Sequence, residues 1–173
     1  MTWTAPEITR VDGPQSGDER AILEGMLEFH RATLKWKCAG LTAEQLKLAP
    51  VEPSNLTLLG LVRHLAEVER SWLRRRAAAI ELPMLYCTDE NPDGDFDDVA
   101  GADAEADYAT YLAECQACRE AVAGIGLDET FHHTRRGVDI SLRWVYVHLI
   151  EEYARHNGHA DLIRERIDGS TGE

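Results

Sequence analysis

At 173 residues, 44% of them hydrophobic, the chain has the length of one domain and enough apolar material to bury a core without disulfides or a structural metal. Its 31 acidic side chains against 18 basic ones leave a formal net charge of −13, a field that repels nucleic-acid backbones and anionic lipid, so neither is an expected partner. No apolar run approaches the roughly 20 residues of a membrane span, and the opening MTWTAPEITRVDG lacks a basic segment followed by an apolar one, so a cytoplasmic location is expected.

Residues 1–15, rich in Pro, Gly and Thr, are expected to form a tail over a single domain covering 1–173. Ser16 and Glu19 have capping-box spacing, and Ile22, Met26, Phe29 and Thr33 mark the inward stripe of a first helix that Gly40 ends near Cys38. Pro50 and Pro53 make LTAEQLKLAPVEPSN a short helical turn and a connection. Thr57 then caps a second helix to about Ile80, with Leu61, Leu65, Val68 and Trp72 inward and Arg63, Glu69, Arg70 and Arg74 toward solvent. The acidic stretch LPMLYCTDENPDGDFDDVAG is too long for a tight helix hairpin and reads as a crossover or a lid.

Asp103 caps a third helix from about Ala104 to Ala123, with Tyr108, Tyr111, Leu112, Cys115 and Val122 inward and Gly124 and Gly126 behind it. LDETFHHTRRGVDI reads as a loop, Val138 to Ile140 being too short to count as a strand. Ser141 caps a fourth helix from Leu142 to about Asp168, closed by Gly169. The expected architecture is therefore all-α, a four-helix bundle with one long crossover between helices two and three. Cys38, Cys87, Cys115 and Cys118 are too few and too irregular for a disulfide framework. Cys115-x-x-Cys118 falls inside the third helix rather than at its start, where a redox pair would sit.

The fourth helix departs from ordinary core patterning. Its stripe runs Leu142, Val145, Leu149, Glu152, His156, His159, Ile163, Ile167, so a carboxylate and two imidazoles interrupt an aliphatic row. An ionised Glu removed from water costs several kcal/mol unless it is paired or binds a metal, and no Lys or Arg shares the stripe. Glu152 and His156 lie four apart on one face and can converge on one ion, and His64, at the edge of the second helix's stripe, is a third candidate. Two His and one Glu with a fourth position open suit a catalytic zinc; nickel, cobalt or iron would accept the same donors. The alternative is a core in which hydrogen bonds alone satisfy these groups. A di-iron centre lacks its motifs, since Glu129-x-x-His132 falls in the predicted loop.

His148 and His159 share the broad face of Glu152 and could orient a ligand or carry a proton, or simply hydrogen-bond within the bundle. Arg135 and Arg136, with His132 and His133, form a basic patch suited to the carboxylate of a cofactor or substrate, or to solvent. Trp72 and Trp144 are packing residues that could also line a pocket.

The segments VRHLAEVERSW around His64 and EEYARHNGHADLIRERIDG around His156 resemble the two signature segments of the DinB-like bundles, in particular the actinobacterial branch with mycothiol-dependent enzymes. The resemblance covers nearly the whole chain. Many DinB-like proteins hold one metal with a His on helix two and a His-x-x-x-His pair on the last helix. Here Glu152 stands where the first His of that pair would fall, which gives His64, Glu152 and His156, a set similar to that of mycothiol-dependent maleylpyruvate isomerase, which is assigned zinc. The resemblance implies a metal-dependent S-transferase, a monomer or homodimer, joining a low-molecular-weight thiol such as mycothiol to an electrophilic small molecule in detoxification. An isomerase of a maleylpyruvate-like diacid and a non-catalytic metal- or small-molecule-binding bundle are its alternatives.

Overall fold

The computed structural model describes residues 2–172. Helices dominate them: α1 Glu19–Cys38, α2 Ala43–Leu46, α3 Leu58–Glu69, α4 Gly94–Asp97, α5 Ala104–Val122 and α6 Leu142–Asp168. Thr57, Asp103 and Ser141 cap α3, α5 and α6 as expected, accepting from the backbone N–H of Gly60, Ala106 and Trp144. At α1 the cap is Asp18 rather than Ser16, accepting from Ala21 at 3.1 Å; the carboxylate stands next to the first helical residue and is the stronger acceptor. Gly169 closes α6 in the left-handed region at φ 79°, a conformation that favours a residue without Cβ. The tail is tied down where Ala5 exchanges backbone hydrogen bonds with Gly40 and Leu41.

Two segments differ from the sequence expectation. Residues 130–141 are not a loop but an antiparallel hairpin, β1 Thr130–His133 and β2 Val138–Ser141, with Thr130 opposite Ser141 and His132 opposite Asp139. Gly137, at φ 64°, supplies the left-handed residue of its turn. Strands of four residues are too short to leave a period in the sequence. The second predicted helix, in turn, stops being α-helical at Glu69 and continues as a π-helical turn, Arg70–Ala77, with Ala78 N bonded to Leu73 O at 2.9 Å. Ser71, Trp72 and Leu73 are buried within it, as most of α3 is.

Side-chain pairs set the helix directions. Arg143 meets Glu19, Tyr146 donates to Glu24, and Lys37 meets Asp161, so α1 and α6 lie side by side and run the same way. Arg63 with Asp107 and Arg70 with Glu114 make α3 and α5 parallel as well. α3 opposes α6, since His64 faces His156 and Trp72 faces His148. Parallel neighbours cannot be joined by a tight turn, and residues 78–103 carry the chain back to the start of α5. This connection is held against α3. The Glu67 carboxylate accepts from the N–H groups of Leu85, Tyr86 and Cys87, and Arg63 donates to the Gly94 carbonyl.

The inward edge of α1 is Leu27, Arg31, Leu34 and Cys38, and the predicted stripe is corrected: Met26 is 48% exposed. A charge in the middle of the true stripe hides it from pattern reading. Arg31 is buried with Glu69, its Nε and Nη2 donating to the two carboxylate oxygens at 2.6 and 2.5 Å. The Tyr153 hydroxyl donates to Glu69 at 2.8 Å and lies 3.0 Å from that of Tyr111, so α1, α3, α5 and α6 all meet at one carboxylate. Glu69 and Arg63, expected in solvent, are therefore interior, while Arg70 and Arg74 both donate to Glu114. On α5, Leu112 faces outward and Cys118 is buried instead. On α6 the deepest positions are Leu142, Val145, Leu149, Tyr153 and Ala160, while Glu152, His156 and His159 are half-buried at the edge of the core. No helix among the described residues is long and apolar enough to cross a membrane.

Candidate metal centre

Where α3 opposes α6, the structure brings His64, Glu152 and His156 together, with one potential donor atom of each lying within 4.8 Å of the others. Their side chains are 23%, 18% and 12% exposed, sheltered but reachable. His156 Nε2 lies 3.4 Å from one Glu152 oxygen, and the imidazole rings of His64 and His156 are 4.7 Å apart.

His64 is oriented from the far side. Its Nδ1 lies 2.8 Å from the buried carboxylate of Asp95, in α4, and its ring stacks on Phe96 at 4.9 Å. A carboxylate accepts, so Nδ1 carries the proton in this pair and Nε2 is the ring nitrogen left to serve as a donor to an ion, a carboxylate–histidine arrangement suited to a metal ligand.

The donor set fits a cation on its own chemistry. The Glu152 carboxylate faces His156 on one side and His148 Nε2, at 3.7 Å, on the other. Burial, reinforced by His64 and His159, pushes the His156 imidazole down to about 4, and burial also lowers His148. Both flanking rings are thus neutral at pH 7. The carboxylate has no lysine or arginine partner among the described residues, so a divalent ion bound by two imidazole nitrogens and one carboxylate would supply the missing charge.

His148 and His159 each stand beside one member of the trio. His148 is stacked on Trp144 at 4.8 Å and meets Trp72 edge-on at 4.8 Å, and His159 Nδ1 lies 3.3 Å from His156 Nδ1. Arg135 and Arg136 lie exposed in the hairpin turn; the Arg136 guanidinium sits over Trp144 at 5.1 Å and Trp72 at 5.6 Å, the two rings that pack on His148. His132 pairs with Asp139 across the hairpin, and His133 is buried beside Trp72.

A cleft of about 200 Å³ opens beside His64, lined by Trp72, Met84, Cys87, Asp95 and Phe96 among others. Of these, Met84, Asp95 and Phe96 come from the connection between residues 78 and 103 and were not picked out from the sequence. Asp95 is one acid in a run that also holds Asp93, Asp97 and Asp98, and nothing in its spacing singles it out. The chain's own thiols are disfavoured as thiolates. Burial pushes Cys38 and Cys115 up to about 12 and Cys118 higher still, and burial with the nearby Asp95 and Glu67 charges takes Cys87 up to about 11.

The family model described as mycothiol-S-transferase matches residues 22–169, most of the chain and all of the residues above. The chain belongs to this family. Comparison with curated proteins and with solved structures returned no match. Mycothiol-S-transferase membership places the chain in the DinB-like superfamily, on the mycothiol-related branch its signature segments resemble, and by the family's name makes a thiol and an electrophile the expected reactants. It also accords with four cysteines none of which is disposed to act as a thiolate.

Proposed function

We propose that the chain is a metal-dependent thiol S-transferase of the cytoplasm, a DinB-like four-helix bundle in which His64, Glu152 and His156 hold a divalent ion, zinc by preference, and nickel or another divalent ion as the substitute. The observation that carries this reading is the half-buried Glu152 carboxylate set between His148 and His156, with a donor atom of His64 converging on it and His156 and no lysine or arginine partner among the described residues. A divalent ion there would hold a bound thiol as thiolate at neutral pH. The sulfur must come from outside, because the chain's own cysteines are buried or shifted upward; mycothiol is the cofactor that family membership suggests.

The remaining residues supply binding and proton handling. Trp72, Met84 and Phe96 line an apolar wall that displaces water from the thiol and the electrophile. His148, against Glu152, and His159, against His156, are placed to orient those two side chains and to take up or return the thiol proton. Arg135 and Arg136 are the candidates for holding a carboxylate of cofactor or substrate.

Purified, metal-loaded protein should accelerate the loss of free mycothiol in the presence of a general electrophile such as monochlorobimane, with a thioether as product. No acceleration with any thiol would sink the proposal. A thiol-dependent cis-to-trans conversion of a maleylpyruvate-like diacid without thioether formation would assign the site to isomerisation. Metal held with every coordination position filled by protein would make the chain a binding module.

A further inference from the structure

We propose that Arg75, Arg76, Arg135 and Arg136 form an oxyanion subsite around Trp72 that selects electrophiles carrying a carboxylate or a phosphate. This rests on the transferase reading only for the word electrophile; binding of the anion does not depend on it.

These four stand out as a cluster without counter-ions. In a chain of net charge −13, most arginines at other positions meet a carboxylate, as Arg20, Arg31, Arg63, Arg74, Arg119 and Arg143 do. Among the described residues, none of the four has a carboxylate within ion-pair distance. Arg75 donates to the Met84 thioether, and Arg76 donates to the Ser71 hydroxyl and carbonyl. Arg136 rests on two indoles. An acidic protein that leaves four guanidiniums together without counter-ions has kept their donors for something else.

The fold brings them together from two elements. Arg75 and Arg76 end the π-helical turn, Arg135 and Arg136 make the hairpin turn, and β1 packs against the π-helical turn. Arg76 lies over the Trp72 ring at 4.8 Å and Arg136 over the same ring at 5.6 Å. Burial, and then the charges of Arg75, Arg136 and Arg135, lower the pKa of Arg76, which a bound anion would relieve. A surface hollow of about 630 Å³ lined by Arg75, Arg76, Ile80, Leu82 and Pro83 adjoins the cluster; Glu81, also in its lining, pairs with neither arginine.

Two rings, Trp72 and His148, separate the cluster from the candidate metal centre. Trp72 meets His148 at 4.8 Å, and His148 Nε2 is 3.7 Å from Glu152. An anion on the arginines therefore leaves the rest of a small molecule over the Trp72 and His148 rings, pointing to the cleft beside His64. A macromolecular polyanion is disfavoured because the surrounding field is negative.

Isothermal titration of the full-length, metal-loaded protein with benzoate and with benzamide at low salt tests the subsite without requiring turnover. Benzoate should bind at least about tenfold more tightly than benzamide, consistent with charge-assisted bonds to guanidinium, and the difference should vanish in Arg76→Gln/Arg136→Gln. The exposed single variant Arg135→Gln, which leaves the Trp72 packing intact, should reduce it. Inorganic phosphate displacing benzoate more strongly than acetate does would assign the oxyanion to a phosphate ester; the reverse order would assign it to a carboxylate. In turnover with mycothiol, 4-(chloromethyl)benzoate should exceed benzyl chloride in kcat/KM, with the advantage lost in the double variant. Equal binding of benzoate and benzamide, or a preference that survives the double variant, would overturn the subsite. So would tight binding to phosphatidylserine vesicles that benzoate does not displace, which would make the patch a lipid surface. Thiol turnover absent with both electrophiles while benzoate still binds through the arginines would remove the transferase and keep the anion site.

Discussion

Glu69→Leu is expected to lower the free energy of unfolding by about 3–5 kcal/mol, because it strands the Arg31 guanidinium as an unpaired charge in the core. The environment leaves that cation little recourse. Arg31 is 2% exposed, its remaining acidic neighbour Glu28 is shared with Arg119, and the hydroxyl of Tyr153 loses its acceptor in the same substitution. Urea denaturation followed by far-ultraviolet circular dichroism gives the shift in midpoint. The double variant Arg31→Met/Glu69→Leu removes both charges and should recover most of the loss, since a buried pair replaced by apolar groups of similar volume is often neutral or stabilising. A single variant as stable as the parent chain would show that water or another group reaches Arg31.

Glu152→Gln is expected to reduce metal affinity by more than the roughly 100-fold upper range seen for outer partners of a metal site, while Asp95→Asn should cost about 10–100-fold. The two effects separate two roles. Glutamine keeps the size of Glu152 but removes the charge for which the neutral His148 and His156 offer no compensation. Asparagine at position 95 keeps a partner for His64 Nδ1 but no longer fixes which ring nitrogen carries the proton. Competition with a chromophoric chelator measures both affinities, with thermal melts of the metal-free proteins as the folding control. Full metal content in the Glu152 variant would mean that the ion sits elsewhere.

Much of this molecule is legible from local signals. Thr57, Asp103, Ser141 and Gly169 announce helix ends because capping is a contact between neighbours in sequence. Glu152 and His156 are legible because their four-residue spacing fixes a shared face, and a carboxylate set in an aliphatic row calls for a cation or a hydrogen-bond donor beside it. His64 joins them only through the opposition of α3 and α6, which the family signature implied and periodicity alone did not.

Long-range contacts leave no such trace. Glu69 looks like a solvent-facing residue until Arg31, 38 positions earlier, is placed against it. Asp95 becomes informative only when Glu67 and Arg63 pin residues 85–94 against α3 and bring it to His64. The π-helical turn and the four-residue strands are too short to set a period, yet they put Trp72, Arg76 and Arg136 together.

The central claim is an ion at His64, Glu152 and His156 with a coordination position open to an external thiol, and cobalt(II) in place of zinc reports on both parts at once. Adding mycothiol to the cobalt-loaded protein should produce a sulfur-to-cobalt charge-transfer band in the near ultraviolet that saturates at one thiol per chain and is absent in Glu152→Gln. A cobalt spectrum that mycothiol leaves unchanged, or a thiolate band present before any thiol is added, would contradict it.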